Sequence, residues 1–225
     1  MKVVISLGGS LLCPKNFDYV FAEKFSKFIK DMSEKHKFVI VTGGGKIARR
    51  FIARARKEKA NEFLCDLEGI KATHINAKKL SEFFYRKKVE IPKNFSDAMK
   101  VFKKRGIVVM GGTSPGHSTD AVAALMAECI NADLLINATN VSGVYNKNPR
   151  KYKDARLYKK ISIKGLMKML ANYSSKAGKY ELIDFIALQI IQRSKIKTIF
   201  LDGKNLENLK KAIEGKKFVG TTITF

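Results

Sequence analysis

Residues 38–50 read FVIVTGGGKIARR, in which a β-rich apolar run passes through three glycines into a basic segment with helical spacing. The same order occurs twice more: VVISL leads into the Gly-Gly-Ser of residues 8–10, and IVVM leads into the Gly-Gly-Thr of residues 111–113. Short apolar runs that alternate with helical patterns are typical of parallel strands joined by right-handed crossovers. We therefore predict an α/β fold, a three-layer αβα sandwich with a central, mostly parallel sheet, and a single domain over residues 1–225.

Hydrophobic spacing and helix-end residues place the remaining elements. Three further strands are predicted at LLINA, TIFL and VGTTITF, the last as an antiparallel edge. A helix that starts near Asp66 should have an inner side made of Leu67, Ile70, Ile75 and Leu80. The other helices are expected from about Asn16, from about Lys46, from an N-cap at Ser96 to Gly106, through AVAALMAEC, and around residues 162–171, 179–194 and 205–214.

The composition is that of a soluble globular protein, with 45% hydrophobic residues in a chain of 225. The three cysteines are far apart and form no C-x-x-C pair, so they indicate neither a disulfide framework nor a zinc site. No apolar stretch approaches the roughly 20 residues of a membrane helix, and the first residues read as a strand rather than a signal peptide. These features predict a cytoplasmic protein with no membrane association and no metal held by protein ligands.

The net charge is the unusual property, because 44 Lys and Arg against 20 Asp and Glu give a formal +24 at pH 7. Such an excess attracts anions, including nucleotides and nucleic acids. One interpretation is a dedicated nucleic-acid surface. The other, which we favour, is a lysine-rich surface, since the cations are scattered along the helices instead of interleaving with aromatic residues. Any nucleic-acid binding is therefore expected to be non-specific.

The three glycine turns should meet, because the carboxyl ends of parallel strands lie at one edge of the sheet, where ligands of such folds bind. Glycines let backbone N–H groups approach an anion, and each helix start adds unpaired N–H groups and partial positive charge. Lys46, Arg49 and Arg50 stand near the start of their helix, where cations oppose the helix dipole. Either an anionic ligand offsets that cost or these side chains point into water. We favour the ligand, and several turns together suggest several phosphates.

Two familiar nucleotide motifs are matched only in part. Residues 43–48 fit G-x-G-x-x-A, with Asp66 at about the offset of a ribose-binding acid, but that fingerprint normally follows the first strand. Residues 111–118 fit the phosphate loop except that His117 stands where the lysine belongs. Neither motif alone decides the function. His117 is expected either to hydrogen-bond a bound acceptor or to be a solvated loop residue.

Five segments in series carry a resemblance to a known family: the early GGS, TGGGKIARR, GGTSPGHSTDAVAALMAE, ATNVSGVYNKNP and KAGKYELIDFIALQIIQRSKIKT. In this order, from about Val3 to Thr222, the chain resembles the amino acid kinase superfamily, and within it the archaeal type of UMP kinase. The GGTSPGHSTDAVAA segment is most similar to that of the UMP kinases. The resemblance implies the carbamate kinase-like fold and the reaction of UMP with ATP to give UDP and ADP. It also implies Mg²⁺ carried on the ATP phosphates and a homo-oligomer, a hexamer.

The resemblance further assigns residues to the two nucleotides. The ATP-binding positions are Ser6, Gly8, Gly9, Ser10, Gly45 and Arg49 around the phosphates and Thr139, Asn140, Tyr145 and Asn148 around the adenosine. The UMP-binding positions are Gly44, Asp66, Ser114, Pro115, Gly116, His117, Ser118, Thr119 and Asp120. An acceptor phosphate has a second pKa near ~6 and is mostly a dianion at neutral pH, so no general base is needed. Catalysis then rests on alignment and on neutralising the charge of the transferring group.

The chain departs from the family pattern at three places. Ser6 stands where many relatives have a lysine that contacts the transferring phosphoryl group, and Lys46 is our candidate for that catalytic cation, unless it merely caps the turn. Asn148 replaces a common acid. Asp184 is followed by Phe185 instead of a proline. Asp184 either acts catalytically by orienting a phosphate-binding cation or is a helix acid paired with a neighbour such as Lys179.

Two other functions stay open from the sequence. One is a sibling kinase that uses another phosphate or carboxylate acceptor, because the siblings share the first turn and the sheet but differ in the acceptor region. The other is a nucleotide- or RNA-binding module on a kinase-like fold. ADP release with different acceptors separates the kinases from one another, and tight, sequence-selective RNA binding would favour the module.

Overall fold

One sheet contains all seven strands found in the computed structural model, which describes residues 1–85, 90–174 and 183–225. The strands are β1 (Lys2–Leu7), β2 (Lys37–Thr42), β3 (Ile107–Met110), β4 (Leu134–Thr139), β5 (Lys160–Ser162), β6 (Thr198–Asp202) and β7 (Thr221–Thr224). Their order across the sheet is β3-β2-β1-β4-β6-β7-β5. The first five strands in that order run parallel, which confirms the predicted mostly parallel sheet.

The far side of the sheet differs from the sequence prediction in one respect. β7 pairs antiparallel with β6, as expected, but it is not an edge strand, because β5 pairs parallel with its other side. The strand β5 was not predicted, because its three residues, Lys-Ile-Ser, include a single apolar side chain and therefore show no hydrophobic period.

Helices cover both faces of the sheet, as the αβα prediction requires. Those in the described ranges are α1 (Gly9–Leu12), α2 (Tyr19–Met32), α3 (Gly45–Lys57), α4 (Glu62–Tyr85), α5 (Phe95–Arg105), α6 (Thr119–Cys129), α7 (Ile163–Ser174), α8 (Phe185–Arg193) and α9 (Leu206–Ile213). Alternate strand residues face opposite sides: Val4 and Val39 join the core beneath α5, α6 and α8, whereas Ile5 and Ile40 join the core beneath α2, α4 and α9. None of the helices in these ranges has the length and apolar character needed to cross a membrane.

Local hydrogen bonds set helix ends that spacing placed only approximately. Asp18, rather than Asn16, begins α2, because its side chain accepts a hydrogen bond from the Phe21 N–H. The predicted N-cap at Ser96 is wrong: Asn94 takes that role for α5 and accepts from the Asp97 N–H. The predicted stop at Gly106 is confirmed, since this glycine has the left-handed φ of 73° that ends a helix.

The predicted inner side of the long helix α4 is confirmed only in part: Leu80 is fully buried, and Leu67 and Ile70 are half-buried. Ile75 is 37% exposed, and the buried side consists largely of small and polar residues, including Ala72, Thr73, Asn76 and Ala77. The prediction assumed that large apolar side chains mark the buried side of this helix. However, α4 packs on the glycine turns as well as on the sheet, and a close approach to backbone needs small or hydrogen-bonding side chains. This helix therefore packs directly against the glycine turns.

Candidate active site

The glycine turns after β1 and β2 open into one cavity at the carboxyl edge of the sheet. The cavity measures about 490 Å³ and is bordered by the ends of β1, β2 and β4 and the start of α6. Of the residues that the sequence singled out, those that line it are Ser6, Gly8, Gly9, Ser10, Gly44, Gly45, Arg49, Thr119, Asp120, Thr139, Asn140 and Asn148. Its described lining does not include Lys46, Asp66, the 114–118 segment, Tyr145 or Asp184.

The first two glycine turns touch each other at the floor of this cavity. A Cβ atom on Gly9 would lie 2.1 Å from the Gly45 nitrogen and 2.8 Å from the Gly43 carbonyl carbon. Gly45 has a φ of 59° and begins α3, so the N-terminus of that helix faces the cavity. Only glycine permits this approach of two backbones, and the result is a group of N–H donors of the kind that binds phosphate.

Two arginines, rather than Lys46, bring positive charge to the cavity lining. Arg49 lies one turn into α3, and Arg150 lies on the loop that follows β4. Within residues 1–85, 90–174 and 183–225, neither guanidinium forms an ion pair with an acid. Lys46 is exposed, and its backbone N–H donates to the Cys13 carbonyl at 3.3 Å. The cations that line this cavity therefore come from one helix and one loop, an arrangement that suits an anionic ligand.

Asp120 lies on the other side of the cavity in a network of polar side chains. The Ser6 hydroxyl donates to its Oδ1 at 2.6 Å, and the Asn137 amide donates to the same oxygen at 3.0 Å. Ser6 and Asn137 are register partners on β1 and β4, so the sheet itself places both donors. Burial, with a smaller contribution from the charge of Asp184, raises the pKa of Asp120 from 3.8 to about 6 against the opposing effect of the Ser6 and Asn137 hydrogen bonds.

Asp184 joins the starts of two helices. Its Oδ1 accepts a hydrogen bond from the Ala187 N–H at 2.9 Å, which makes it the N-cap of α8. Its Oδ2 accepts from the hydroxyl of Ser118, and Ser118 is the N-cap of α6. The alternative partner, Lys179, lies outside the described residues. Asp184 thus acts at least as a cap that connects α6 to α8.

The 114–118 segment forms an exposed loop that α4 holds in place. The Asp66 carboxylate accepts from the Gly116 N–H at 2.7 Å, and Gly116 has a φ of 79°. Ser114 and His117 are exposed at the loop surface, where the His117 N–H donates to the Ser114 carbonyl at 3.3 Å. Asp66 on α4 and this loop, which the resemblance assigns to one site, are therefore in direct contact, and the loop leads into the start of α6.

The segment after β4 supplies the remaining predicted positions. Thr139 and Asn140 follow the strand directly, and the Asn140 amide donates to the Ser10 hydroxyl at 2.9 Å, which ties this segment to the first glycine turn. Asn148 accepts from the Arg150 N–H at 2.9 Å and so shapes the loop that carries the arginine. Tyr145 packs against the core and bridges to Leu157, outside the cavity lining.

Sequence reasoning missed Asn137 and Arg150. Asn137 had a signal, because it is a polar residue in the otherwise apolar run LLINA and is only 5% exposed, which is costly without a hydrogen-bond partner. Arg150 had none, since a single arginine in a polar loop is among the commonest features of a basic chain. Only the path of the loop brings it to the cavity.

The sequence model of the amino acid kinase family matches residues 1–202. The chain belongs to the amino acid kinase family. It is similar over nearly its whole length to proteins named uridylate kinase: 43% identical to that of Methanobrevibacter smithii, covering 99% of both chains, and 44% identical to that of Archaeoglobus fulgidus, covering 99% of this chain and 100% of the relative.

Solved structures of the family agree with the fold described above. The crystal structure of uridylate kinase from Archaeoglobus fulgidus superposes with a TM-score of 0.87 at 43% identity and covers all of both chains. The UMP kinase from Ureaplasma parvum superposes with a TM-score of 0.82 at 22% identity, covering 100% of this chain and 99% of that one, and shows that the fold persists when most side chains differ. The predicted amino acid kinase fold is thereby confirmed.

Proposed function

We propose that this amino acid kinase is an ATP-dependent uridylate kinase, which transfers the γ-phosphoryl group of ATP to UMP and releases UDP and ADP. The observation that carries the proposal is the cavity in which two glycine turns and the N-terminus of α3 meet, beside the 114–118 loop that Asp66 holds. Matches to uridylate kinases at 43–44% identity over nearly the full chain support the same activity.

The ATP phosphates are proposed to lie on the first two glycine turns. Backbone N–H groups of Gly9, Ser10 and Gly45 would donate to phosphate oxygens, and the guanidinium of Arg49 would add a charge-assisted hydrogen bond. Gly8 would line the phosphate site without donating, because its N–H already donates to the Ala138 carbonyl at 2.9 Å. The adenosine would lie along the segment after β4, contacted by Thr139, Asn140, Tyr145 and Asn148. Tyr145 would need to reach it from the rim, because it lies outside the described lining.

UMP is proposed to bind between the second glycine turn and the start of α6. Gly44, Asp66 and residues 114–120 would surround it, with the N-terminus of α6 directed at its phosphate. Ser118 and Asp120 belong to this helix start and hold it to β1, β4 and α8 through their hydrogen bonds. His117, exposed on the loop, is the proposed hydrogen-bonding partner of the bound nucleotide.

The transfer itself needs alignment and positive charge more than proton transfer. The acceptor phosphate is already ionised, so the protein's task is to hold attacking and leaving oxygens in line and to neutralise the transferring group. Lys46, exposed one residue past the second turn, is proposed to swing toward that group, with Arg49 beside it. Asp184 is proposed to orient such a cation in addition to capping α8.

Mg²⁺ is proposed to enter with the nucleotide. In the described part of the chain, no three His, Cys, Asp or Glu side chains come together in a way that would hold a metal ion. Mg²⁺ in kinases is usually bound by substrate phosphates and one or two carboxylates, and Asp120 is the carboxylate of the cavity lining that could serve. The ion would supply charge neutralisation across the phosphates.

The proposal extends to the oligomeric state, the pathway and the cellular location of the protein. Large apolar side chains on the surface support a homo-oligomer, which we propose to be a hexamer: Tyr19, Phe63 and Phe185 are 58%, 59% and 50% exposed. A reaction that makes UDP places the enzyme in pyrimidine nucleotide biosynthesis, and we propose a cytoplasmic location. The +24 surface is proposed to bind nucleic acid only without sequence preference.

A coupled assay of ADP release with a panel of acceptors tests the proposed function. UMP, CMP, isopentenyl phosphate and N-acetylglutamate are offered in turn with MgATP, and we expect turnover to be fastest with UMP. Chromatographic detection of UDP confirms that the phosphoryl group reaches the acceptor instead of water. Absence of UMP-dependent turnover, or faster turnover with another acceptor, would overturn the proposal.

A further inference from the structure

Both backbone polar groups of Gly112, in the third glycine turn, are bound by neighbouring side chains of α4. The Thr73 hydroxyl oxygen accepts from the Gly112 N–H at 2.8 Å. The His74 Nε2 lies 2.7 Å from the Gly112 carbonyl oxygen, and because a carbonyl only accepts, this nitrogen carries the proton. The turn is therefore fastened to α4 by a matched donor and acceptor rather than by apolar contact.

The same helix fastens the far end of the loop. Asp66 accepts from the Gly116 N–H at 2.7 Å and precedes Thr73 by seven residues, which is about two helical turns, so both side chains lie on one face of α4. Between Gly112 and Gly116 stands Ser114, which is exposed and belongs to the proposed UMP site. The loop thus spans two attachments to one rigid element.

Helix α4 approaches the start of this turn so closely that no side chain fits at Gly111. A Cβ atom on Gly111 would lie 2.6 Å from the Thr73 hydroxyl oxygen and 3.0 Å from the backbone nitrogen of His74. Thr73 in turn donates to the Ile70 carbonyl at 2.6 Å and its own carbonyl accepts from Thr42, so its position is set from three sides. His74 is less constrained, because it also borders an open cavity of about 540 Å³ between α4 and the segment that leads into α5.

The geometry points to His74 as a positioning residue of the acceptor site: through the Gly112 carbonyl it sets where the 113–118 loop presents its groups to the acceptor nucleotide. This role rests on the proposed function. His74 does not line the cavity of the glycine turns, so its effect on the acceptor is indirect and its effect on ATP should be absent. Reactions that depend on alignment lose rate and affinity when a binding loop moves by a fraction of an ångström.

His74→Leu, His74→Gln and Thr73→Val form the test set, with Lys71→Ala as the matched control on an exposed position of the same helix. Michaelis constants for UMP and for ATP are measured separately. We expect His74→Leu and Thr73→Val to raise the UMP constant by about 2- to 10-fold, the range of one hydrogen bond, with the ATP constant unchanged. His74→Gln retains an N–H donor and should restore the UMP constant to within about twofold.

Hydrogen–deuterium exchange of the nucleotide-free protein separates this inference from the proposed function. The peptide that covers residues 111–118 should exchange faster in His74→Leu, while the peptide that covers residues 1–12 should not change. Unchanged exchange at the loop, or an equal rise of both Michaelis constants, would overturn the role of His74. A wild-type protein that does not phosphorylate UMP would instead overturn the proposed function. The exchange rate of the 111–118 peptide in His74→Leu would then still show whether His74 holds this loop in place.

Discussion

Arg49 and Lys46 lie within one helical turn of each other, but only Arg49 lines the cavity. Both are cations near the start of α3, and both carry a cost against the helix dipole unless an anion binds there. Arg49 lines the cavity, whereas Lys46 does not belong to its described lining. The planar guanidinium also suits two oxygens of a phosphate better than a single ammonium does. Replacing Arg49 should therefore weaken ATP binding more than replacing Lys46.

Arg49→Ala is expected to raise the Michaelis constant for ATP by roughly 10- to 100-fold, the range for a hydrogen bond to a charged group, and to change that for UMP little. Steady-state kinetics with each nucleotide varied in turn measures both. Arg54→Ala is the control, because Arg54 lies on the same helix but points to Glu58 in an exposed ion pair. An unchanged ATP constant in Arg49→Ala would remove this residue from the donor site.

Asp120 carries the most clearly altered pKa of the cavity. Burial is the main reason that its pKa rises from 3.8 to about 6. Because the folded-state pKa is the higher one, the fold favours the protonated acid. The stabilisation from this group is complete below about pH 3.8 and is lost as the pH rises through about 6.

Asp120→Asn should therefore stabilise the nucleotide-free protein more at pH 8 than at pH 4. The expected gain in the free energy of unfolding grows by about 2 kcal/mol between these pH values, since a shift of one pKa unit is worth about 1.4 kcal/mol. Urea denaturation across the pH range measures it. Asp97→Asn is the control of opposite sign, because the hydrogen bonds of Lys100 and Asn94 lower the pKa of Asp97. A pH-independent difference for Asp120→Asn would contradict the buried network.

At the scale of elements, α6 and α8 are joined through their first residues. Ser118 caps α6 and donates to Asp184, which caps α8. At the other end of the same pair, Glu128 near the end of α6 binds Arg193 and Ser194 near the end of α8. These polar contacts at both ends, with apolar side chains between, hold the two helices in one alignment, and the start of α6 is where UMP is proposed to bind.

Asp184→Ala and Asp184→Ser separate the capping role of this residue from a catalytic one. Loss of the cap in the alanine variant should lower the free energy of unfolding by about 1 kcal/mol, whereas serine is a good N-cap and should retain most of it. Denaturant unfolding measures the first effect and turnover of MgATP with UMP the second. If Asp184 also orients a cation, both variants lose turnover; normal turnover in the serine variant would leave Asp184 as a cap only.

At the scale of the whole molecule, charge and packing act in opposite directions. A formal +24 on 225 residues disfavours the compact state through self-repulsion, and the ion pairs of the described chain lie at its surface, where each contributes little. Two apolar layers offset this, with strands buried on both faces of the sheet. Anions that screen or bind the surface should therefore stabilise the protein.

Raising NaCl from 0.05 M to 0.5 M is expected to raise the thermal midpoint of the protein. Screening at the higher salt shortens the range of repulsion to a few ångströms, and a gain of about 1 kcal/mol would correspond to roughly 2–4 °C for a chain of this size. Differential scanning calorimetry measures it. KCl at equal concentration should have the same effect, since only ionic strength is varied. A midpoint that stays level or falls would show that repulsion is not a significant cost.

The local sequence was sufficient for the layers of the fold and for the turns of the site. Short continuous apolar runs predict strands buried on both faces, and glycines at their ends predict close backbone approaches, because both depend on neighbours within one element. Parallel order then requires the turns to share an edge, and the cavity lined by Gly8–Ser10 and Gly43–Gly45 lies there. The same local information could not show β5, whose three residues have no period.

Only the tertiary structure determines which polar groups form hydrogen bonds with one another. Asn137 binds Asp120, Asp66 binds Gly116, and His74 binds Gly112, at separations of 17, 50 and 38 residues. A hydrogen bond depends on distance and direction within a fraction of an ångström, and no periodic pattern encodes that across such separations. The hydrophobic pattern thus specifies the sheet and its edge, because burial is collective and tolerant of detail. The alignment of the loops proposed to bind the nucleotides, in contrast, arises only when distant elements pack together.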